Sequence, residues 1–113
     1  MSNNKMNILW TNADPITSEL MVLMYAKASM HYVFWEEVQV IIWGATAKLV
    51  SENTKIQKLI ADAQEAGVTF TACQACVESL GVQDNLRALD IEIKYWGEPL
   101  TEILKSNEKF ISI

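Results

Sequence analysis

Short apolar segments alternate with amphipathic segments along most of the chain. Runs of this length, rich in β-branched and aromatic residues, are typical of strands. Val38–Trp43, which Gly44 ends, is apolar at nearly every position, as expected of a parallel strand covered on both faces. The pattern predicts strands over Met6–Trp10, Val38–Trp43, Val68–Ala72, Ile91–Tyr95 and Phe110–Ile113.

The segments between these runs carry helix signals. Asp14 and Pro15 suit the cap and the first position of a helix that we expect to reach about Met30. The clearest helix is capped by Asn53 or Thr54 and stopped by Gly67, because its apolar residues follow the spacing i, i+3, i+4, i+7. Further helical segments are predicted over Ala45–Val50, over Gln74–Leu80 and from Glu98-Pro99 onward.

Strands that alternate with helices predict an α/β fold. Right-handed crossovers place helices against both faces of a parallel sheet, so the architecture should be doubly wound, with a mostly parallel five-stranded sheet. A chain of 113 residues is about one domain long, and we predict a single domain over residues 1–113.

The helix that starts at Pro15 is apolar around nearly its whole circumference. Leu20 and Met24 lie on one side, and Met21, Val22 and Ala26 make the opposite side apolar as well. One small sheet cannot cover both sides of such a helix. We therefore predict that part of the helix contacts another subunit in a homo-oligomer; the alternative is a helix that packs only in the core.

Charge and composition exclude several function classes. Fourteen acidic residues against nine Lys and Arg give a net charge of −5, and the basic residues are scattered singly, so nucleic acid is not an expected partner. No apolar stretch approaches the length of a membrane span, so no membrane association is expected. Residues Met1–Lys5 lack the features of a signal peptide, which favours a cytoplasmic location.

The candidate chemistry lies at Cys73-Gln74-Ala75-Cys76, directly after the third predicted strand. At the start of a helix a cysteine thiolate is stabilised, so Cys73 is a candidate nucleophile, and Cys76, one turn later, could form a disulfide with it or receive a sulfur atom from it. Metal ligands are too few for a closed zinc site within one chain, and His31 receives no role. The turns after the first two strands lack a glycine-rich phosphate cradle, so no cofactor is expected.

Aromatic residues are predicted at the same edge of the sheet. Trp10, Trp43 and Trp96 each end a predicted strand, and the carboxyl ends of parallel strands gather at one edge, where ligands bind. With Asn12 and Gln74 they are candidates for lining an aromatic pocket. The alternative is that these aromatic side chains only close the core or fill a subunit contact.

The residues around Cys73 resemble a known family. The run from Gly67 to Cys73, continuing through Cys76 to Val82, is similar to the cysteine signature of DsrE/DsrF-like sulfur-relay proteins, and the resemblance extends along the chain. It implies a three-layer α/β/α sandwich, assembly as a trimer or hexamer, and a persulfide carried on Cys73, with sulfur donor and acceptor proteins as partners.

Two functional hypotheses follow from the sequence. In the first, the protein is a persulfide carrier of the sulfurtransferase type that uses Cys73, with Cys76 resolving the intermediate. In the second, it is a non-catalytic oligomeric binding module with an aromatic-lined pocket and structural cysteines. Whether it is an enzyme stays open at this point.

Overall fold

The computed structural model describes residues 4–113, and its centre is a five-stranded, fully parallel sheet in the order β4-β3-β2-β1-β5. The predicted sandwich with a mostly parallel five-stranded sheet is therefore confirmed. The strands are β1 (Lys5–Trp10), β2 (Glu37–Ile42), β3 (Thr69–Cys73), β4 (Glu92–Lys94) and β5 (Lys109–Ser112).

Seven α-helical segments connect these strands. A first long helix is built from α1 (Pro15–Thr17), a π-helical stretch over Ser18–Leu23 and α2 (Met24–His31). The others are α3 (Thr46–Glu52), α4 (Thr54–Glu65), α5 (Gln74–Leu80), α6 (Gln83–Arg87) and α7 (Gly97–Lys105). Asp14 and Asn53 cap α1 and α4 as the sequence predicted.

The two faces of the sheet are covered very differently. One face, here called the helical face, presents Ile8, Val40 and Phe70 to the first long helix and to α3–α6, and together they form the main apolar core. The opposite face, here called the α7 face, presents Ile41 to Ile103 of α7. The strand order explains this, because β1 to β4 progress in one direction while the β4–β5 connection returns across the other side of the sheet.

One element was missed by the sequence reading. The five-residue helix α6 follows the Gly81 turn, and its Leu86 is fully buried in the main core. A single apolar anchor in so short a segment gives no helical period to detect.

The first long helix, whose middle is π-helical over Ser18–Leu23, is buried on one side and exposed on the other. Its core side consists of Val22, Leu23 and Ala26, whereas Ile16, Leu20 and Met24 form an exposed apolar stripe, with Ile16 68% and Met24 56% accessible. The helix is therefore not covered all round within one chain. The predicted contact with another subunit stays a prediction.

None of the helices in residues 4–113 combines the length and the apolar character that a membrane crossing requires. The prediction about the N-terminal residues Met1–Lys5 rests partly on residues 1–3, which lie outside the described part of the chain.

Candidate functional site

The connections that leave the carboxyl ends of β3 and β4 run on opposite faces of the sheet. After β3 the chain enters α5 on the helical face, and after β4 it enters α7 on the opposite face. Neighbouring parallel strands whose connections leave on opposite faces open a crevice between them, and ligands of α/β sheets bind at such crevices. Cys73 and Lys94 are register partners at this position.

Cys73 is both the last residue of β3 and the N-cap of α5. Its backbone is extended, and its side chain makes no capping hydrogen bond to the helix. The residue is 5% accessible, which makes it part of the buried interior of the isolated chain. The predicted position at a helix start is correct, but in the isolated chain this thiol is buried rather than exposed.

Cys76 lies in the first turn of α5 and is half-buried, so it is the more accessible of the two free thiols. The backbone N–H of Gly44 donates a hydrogen bond to its Sγ over 3.3 Å. Burial raises the pKa of the Cys76 thiol, the Gly44 amide opposes that rise, and the hydrogen bond and charge of Cys73 raise the pKa further. Cys73 is therefore close enough to Cys76 to influence its protonation.

A shallow cavity of about 360 Å³ surrounds the Cys76 side chain. It lies between the loop that follows β2 and the outer side of α5, and its lining is formed by Gly44, Ala45, Ala75, Cys76, Ser79 and Leu80. None of these lining residues carries a formally charged group apart from the thiol itself. The cavity thus gives the accessible sulfur an apolar, neutral surrounding.

The tryptophans do not form the predicted common pocket, because the sheet lies between them. Trp10 is fully buried in the helical-face core, where its Nε1 donates to the Ser18 hydroxyl over 3.1 Å and to the carbonyl of Asn12. Trp43 and Trp96 belong to the cluster beneath α7. Trp10 pairs with Ile42 in register, so Trp43, the next residue of the second strand, points to the opposite face.

The two polar pocket candidates have local partners. Asn12 is exposed, and its Oδ1 accepts a hydrogen bond from the N–H of Asp14, which fixes the turn before α1. Gln74 donates through Nε2 to Glu78 one turn along α5. Both residues therefore organise the loops at this edge of the sheet.

Two groups near the cysteines were not identified from the sequence. The Gly44 N–H is a backbone donor, and its position beside Cys76 depends on a left-handed backbone at Gly44, with φ of +70°. Lys94 is placed by strand register, and its Nζ lies 4.6 Å from the centre of the Trp96 ring. Neither a glycine after a strand nor a lone lysine in a short strand signals a site by itself.

The cysteines belong to no cluster of metal-ligating side chains in the described part of the chain. Across residues 4–113, no three His, Cys, Asp or Glu side chains come close enough together to hold a metal ion.

Comparison with known proteins shows which solved structures share this fold. No protein-family model matches the chain, and no curated protein matches it. The solved structure of BT1422, a conserved protein of unknown function from Bacteroides thetaiotaomicron, superposes with a TM-score of 0.96 at 41% sequence identity over 98% of this chain and 96% of that one. The chain belongs to the family of BT1422.

Two more distant structures show how widely the BT1422 architecture occurs. MTH1491, a protein of unknown function from Methanobacterium thermoautotrophicum, matches with a TM-score of 0.79 at 12% identity over 96% of this chain and 98% of that chain. YchN from E. coli matches with 0.73 at 16% identity over 97% and 99%. At these levels of identity the likeness shows a shared fold, and that fold is the α/β sandwich that the sequence predicted.

Proposed function

We propose that this protein is a persulfide carrier that uses Cys73 and Cys76 as a pair. The observation that carries the proposal is the placement of two free thiols one helical turn apart at the start of α5, where the chain changes faces of the sheet. The DsrE/DsrF-like fold supports it, since the sequence around Cys73 resembles the cysteine signature of sulfur-relay members of that group. The reducing conditions that keep both thiols free are those of the cytoplasm, where we place the protein.

The transfer conserves atoms and electrons. A thiolate of the pair attacks the outer sulfur of a donor persulfide, so that an S–S bond forms on that cysteine while the S–S bond of the donor breaks. The donor leaves as a thiolate and takes up the proton that the attacking cysteine released. Once the sulfur is held on Cys73, an acceptor thiolate repeats the step in the forward direction, or Cys76 attacks the inner sulfur, which closes a Cys73–Cys76 disulfide and releases hydrosulfide.

Mass spectrometry after incubation with a sulfurtransferase and its sulfur donor tests the proposal. The wild-type chain should gain one sulfur atom that a reducing agent removes, and the double variant C73S/C76S should gain none. Ser112→Ala, which alters an exposed position of β5 at the far edge of the sheet, should behave like the wild type. A wild-type chain that takes up no sulfur under conditions that load a known carrier contradicts the proposal.

A second candidate function has a specific observation in its favour. Cys73 is almost entirely buried and the pKa of Cys76 is raised, which are properties of structural cysteines. The protein would then be a non-catalytic binding module. Thiol titration separates the two candidates: slow alkylation of both cysteines in the native protein, with no thiolate formed near neutral pH, favours the binding module.

We also propose that the protein forms a homo-oligomer through the exposed stripe of the first long helix. Ile16, Leu20 and Met24 place three large apolar side chains on one exposed side, which is unfavourable in water and is covered if a second copy packs there. Leu20→Glu should shift the sedimentation profile toward the monomer, whereas Glu65→Gln on α4 should not. An unchanged profile in Leu20→Glu contradicts this use of the stripe.

A further inference from the structure

The two thiols of the pair differ in access, and this difference suggests an order. Cys76 is half-buried and lines the 360 Å³ cavity, whereas Cys73 is 5% accessible and lies behind it at the end of β3. A molecule arriving from solvent meets Cys76 first. Cys73 is the N-cap of the helix whose first turn carries Cys76, so it lies next to whatever Cys76 has received.

The cavity also has a distinct chemical character. Its wall consists of glycine, alanine, serine and leucine around the thiol, so no charged side chain in the wall balances the charge of an ionised ligand. Burying an unpaired charge against such a wall is costly. Its volume is at the small end of the range for small-molecule sites, which favours a compact ligand over a folded protein partner.

One polar contact serves the sulfur itself. The Gly44 N–H points at Cys76 Sγ and stabilises negative charge on it, which is the charge that the sulfur carries when it attacks and when it leaves. The left-handed backbone of Gly44 sets the direction of this N–H. The site therefore combines one accessible sulfur, one donor aimed at it and a neutral wall.

We propose that Cys76 is the entry thiol of the pair and that its cavity selects small persulfide donors whose carbon framework carries no charge; this inference rests on the proposed carrier function. The Cys76 thiolate attacks the outer sulfur of the donor persulfide, the donor S–S bond breaks, and the donor leaves as a thiol with the released proton. The Cys73 thiolate then attacks the outer sulfur on Cys76, which forms Cys73–S–SH and restores the Cys76 thiol. No external oxidant or reductant is consumed.

Alkylation with a matched pair of reagents tests the character of the cavity. The experiment measures how fast iodoacetamide and iodoacetate each alkylate Cys76 in the Cys73→Ser background. The ratio of the two rates in the native chain should exceed the same ratio in the chain unfolded in urea by about tenfold, because only iodoacetate brings a charge. Ala75→Lys should abolish this excess by supplying a cation, and Ala75→Gln should retain it. A native ratio equal to the unfolded ratio overturns the selectivity.

Sulfur uptake from two small persulfides tests the order. The probes are the persulfides of N-acetylcysteine amide, which lacks a carboxylate, and of N-acetylcysteine, which carries one. Cys73→Ser should still accept sulfur on Cys76 and prefer the amide, while Cys76→Ser should accept it about tenfold more slowly than Cys73→Ser because only the buried thiol remains. Circular dichroism verifies that both variants are folded.

The possible failures are distinguishable. Uptake by Cys76→Ser at the wild-type rate overturns entry through Cys76 while leaving the carrier function intact. If neither single variant nor the wild type gains sulfur from any donor, the carrier function fails and the entry order fails with it. The alkylation ratio is independent of sulfur transfer and still decides whether the cavity excludes charge.

Discussion

The helical face and the α7 face of the sheet are built on different principles. On the helical face the strands bury only apolar side chains under the first long helix and α3–α6, whereas on the α7 face they bury Asn7 and Thr71 beside an apolar cluster under a single nine-residue helix. The number of connections that cross each face explains the difference. Stability should therefore depend mainly on packing at one face and on hydrogen bonds at the other.

The largest effect is expected in the helical-face core. Ile60 of α4 is fully buried, so Ile60→Ala should lower the free energy of unfolding by about 2–5 kcal/mol through lost burial and the cavity it leaves. Leu104→Ala on α7 removes the same kind of side chain where it is 60% accessible and should change stability by less than about 0.5 kcal/mol. Urea denaturation measures both, and equal losses would contradict the comparison.

A smaller loss is expected from the polar network of the α7 face. The Asn7 side chain donates to Glu108 over 3.0 Å and to the Lys109 carbonyl over 3.1 Å, and it accepts from Gln39 over 2.9 Å. Asn7→Ala removes these three hydrogen bonds and should cost about 1–3 kcal/mol in the same denaturation assay. Thr101→Ala, which removes one exposed hydrogen bond on α7, should be nearly neutral; a neutral Asn7→Ala would show that the network carries no stability.

A modest gain is expected at Thr71, on the same face. Its hydroxyl is buried and has no hydrogen-bond partner within residues 4–113. Thr71→Val keeps the shape and removes the unpaired group, so it should stabilise the protein by about 1 kcal/mol. Thr69→Val is the matched control, because the Thr69 hydroxyl donates to the Val38 carbonyl and its loss offers no such gain. Destabilisation by Thr71→Val would indicate that the hydroxyl is paired in solution.

The smallest effect is a pH dependence at the start of the first long helix. Hydrogen bonds from the N–H and hydroxyl of Thr17 lower the pKa of the Asp14 carboxyl below its ordinary value of 3.8. The folded state therefore binds this proton more weakly, so the contribution is complete above pH 3.8 and is lost as the pH falls through the lowered pKa. Asp14→Asn keeps a cap acceptor that does not titrate. In thermal melts at falling pH, the melting temperature of the wild type should fall relative to that of Asp14→Asn as the carboxyl becomes protonated. Melting temperatures that fall in parallel would exclude a contribution from Asp14.

The order of elements was predictable because it depends on local chemistry. The apolar run of Val38–Trp43 ends at Gly44, Asn53 caps α4, and Gly67 and Gly81 follow helix ends with the left-handed backbone that glycine adopts easily. These signals lie within a few residues of the structures they produce. The Cys73-to-Cys76 segment likewise sits at the strand-to-helix turn where its sequence placed it.

The arrangement at the site was decided by contacts between distant residues. Trp10 ends β1 on one face of the sheet, whereas Trp43 and Trp96, which follow β2 and β4, pack on the other face, so the three tryptophans do not share a pocket. The accessibility of Cys76 and the burial of Cys73 depend on how α5 packs beside the Gly44 loop, 32 residues earlier in the chain. Sequence alone fixed which sulfur atoms are present and the turn that holds them; only tertiary packing decided which one solvent reaches, because exposure is a property of neighbours far away in the chain.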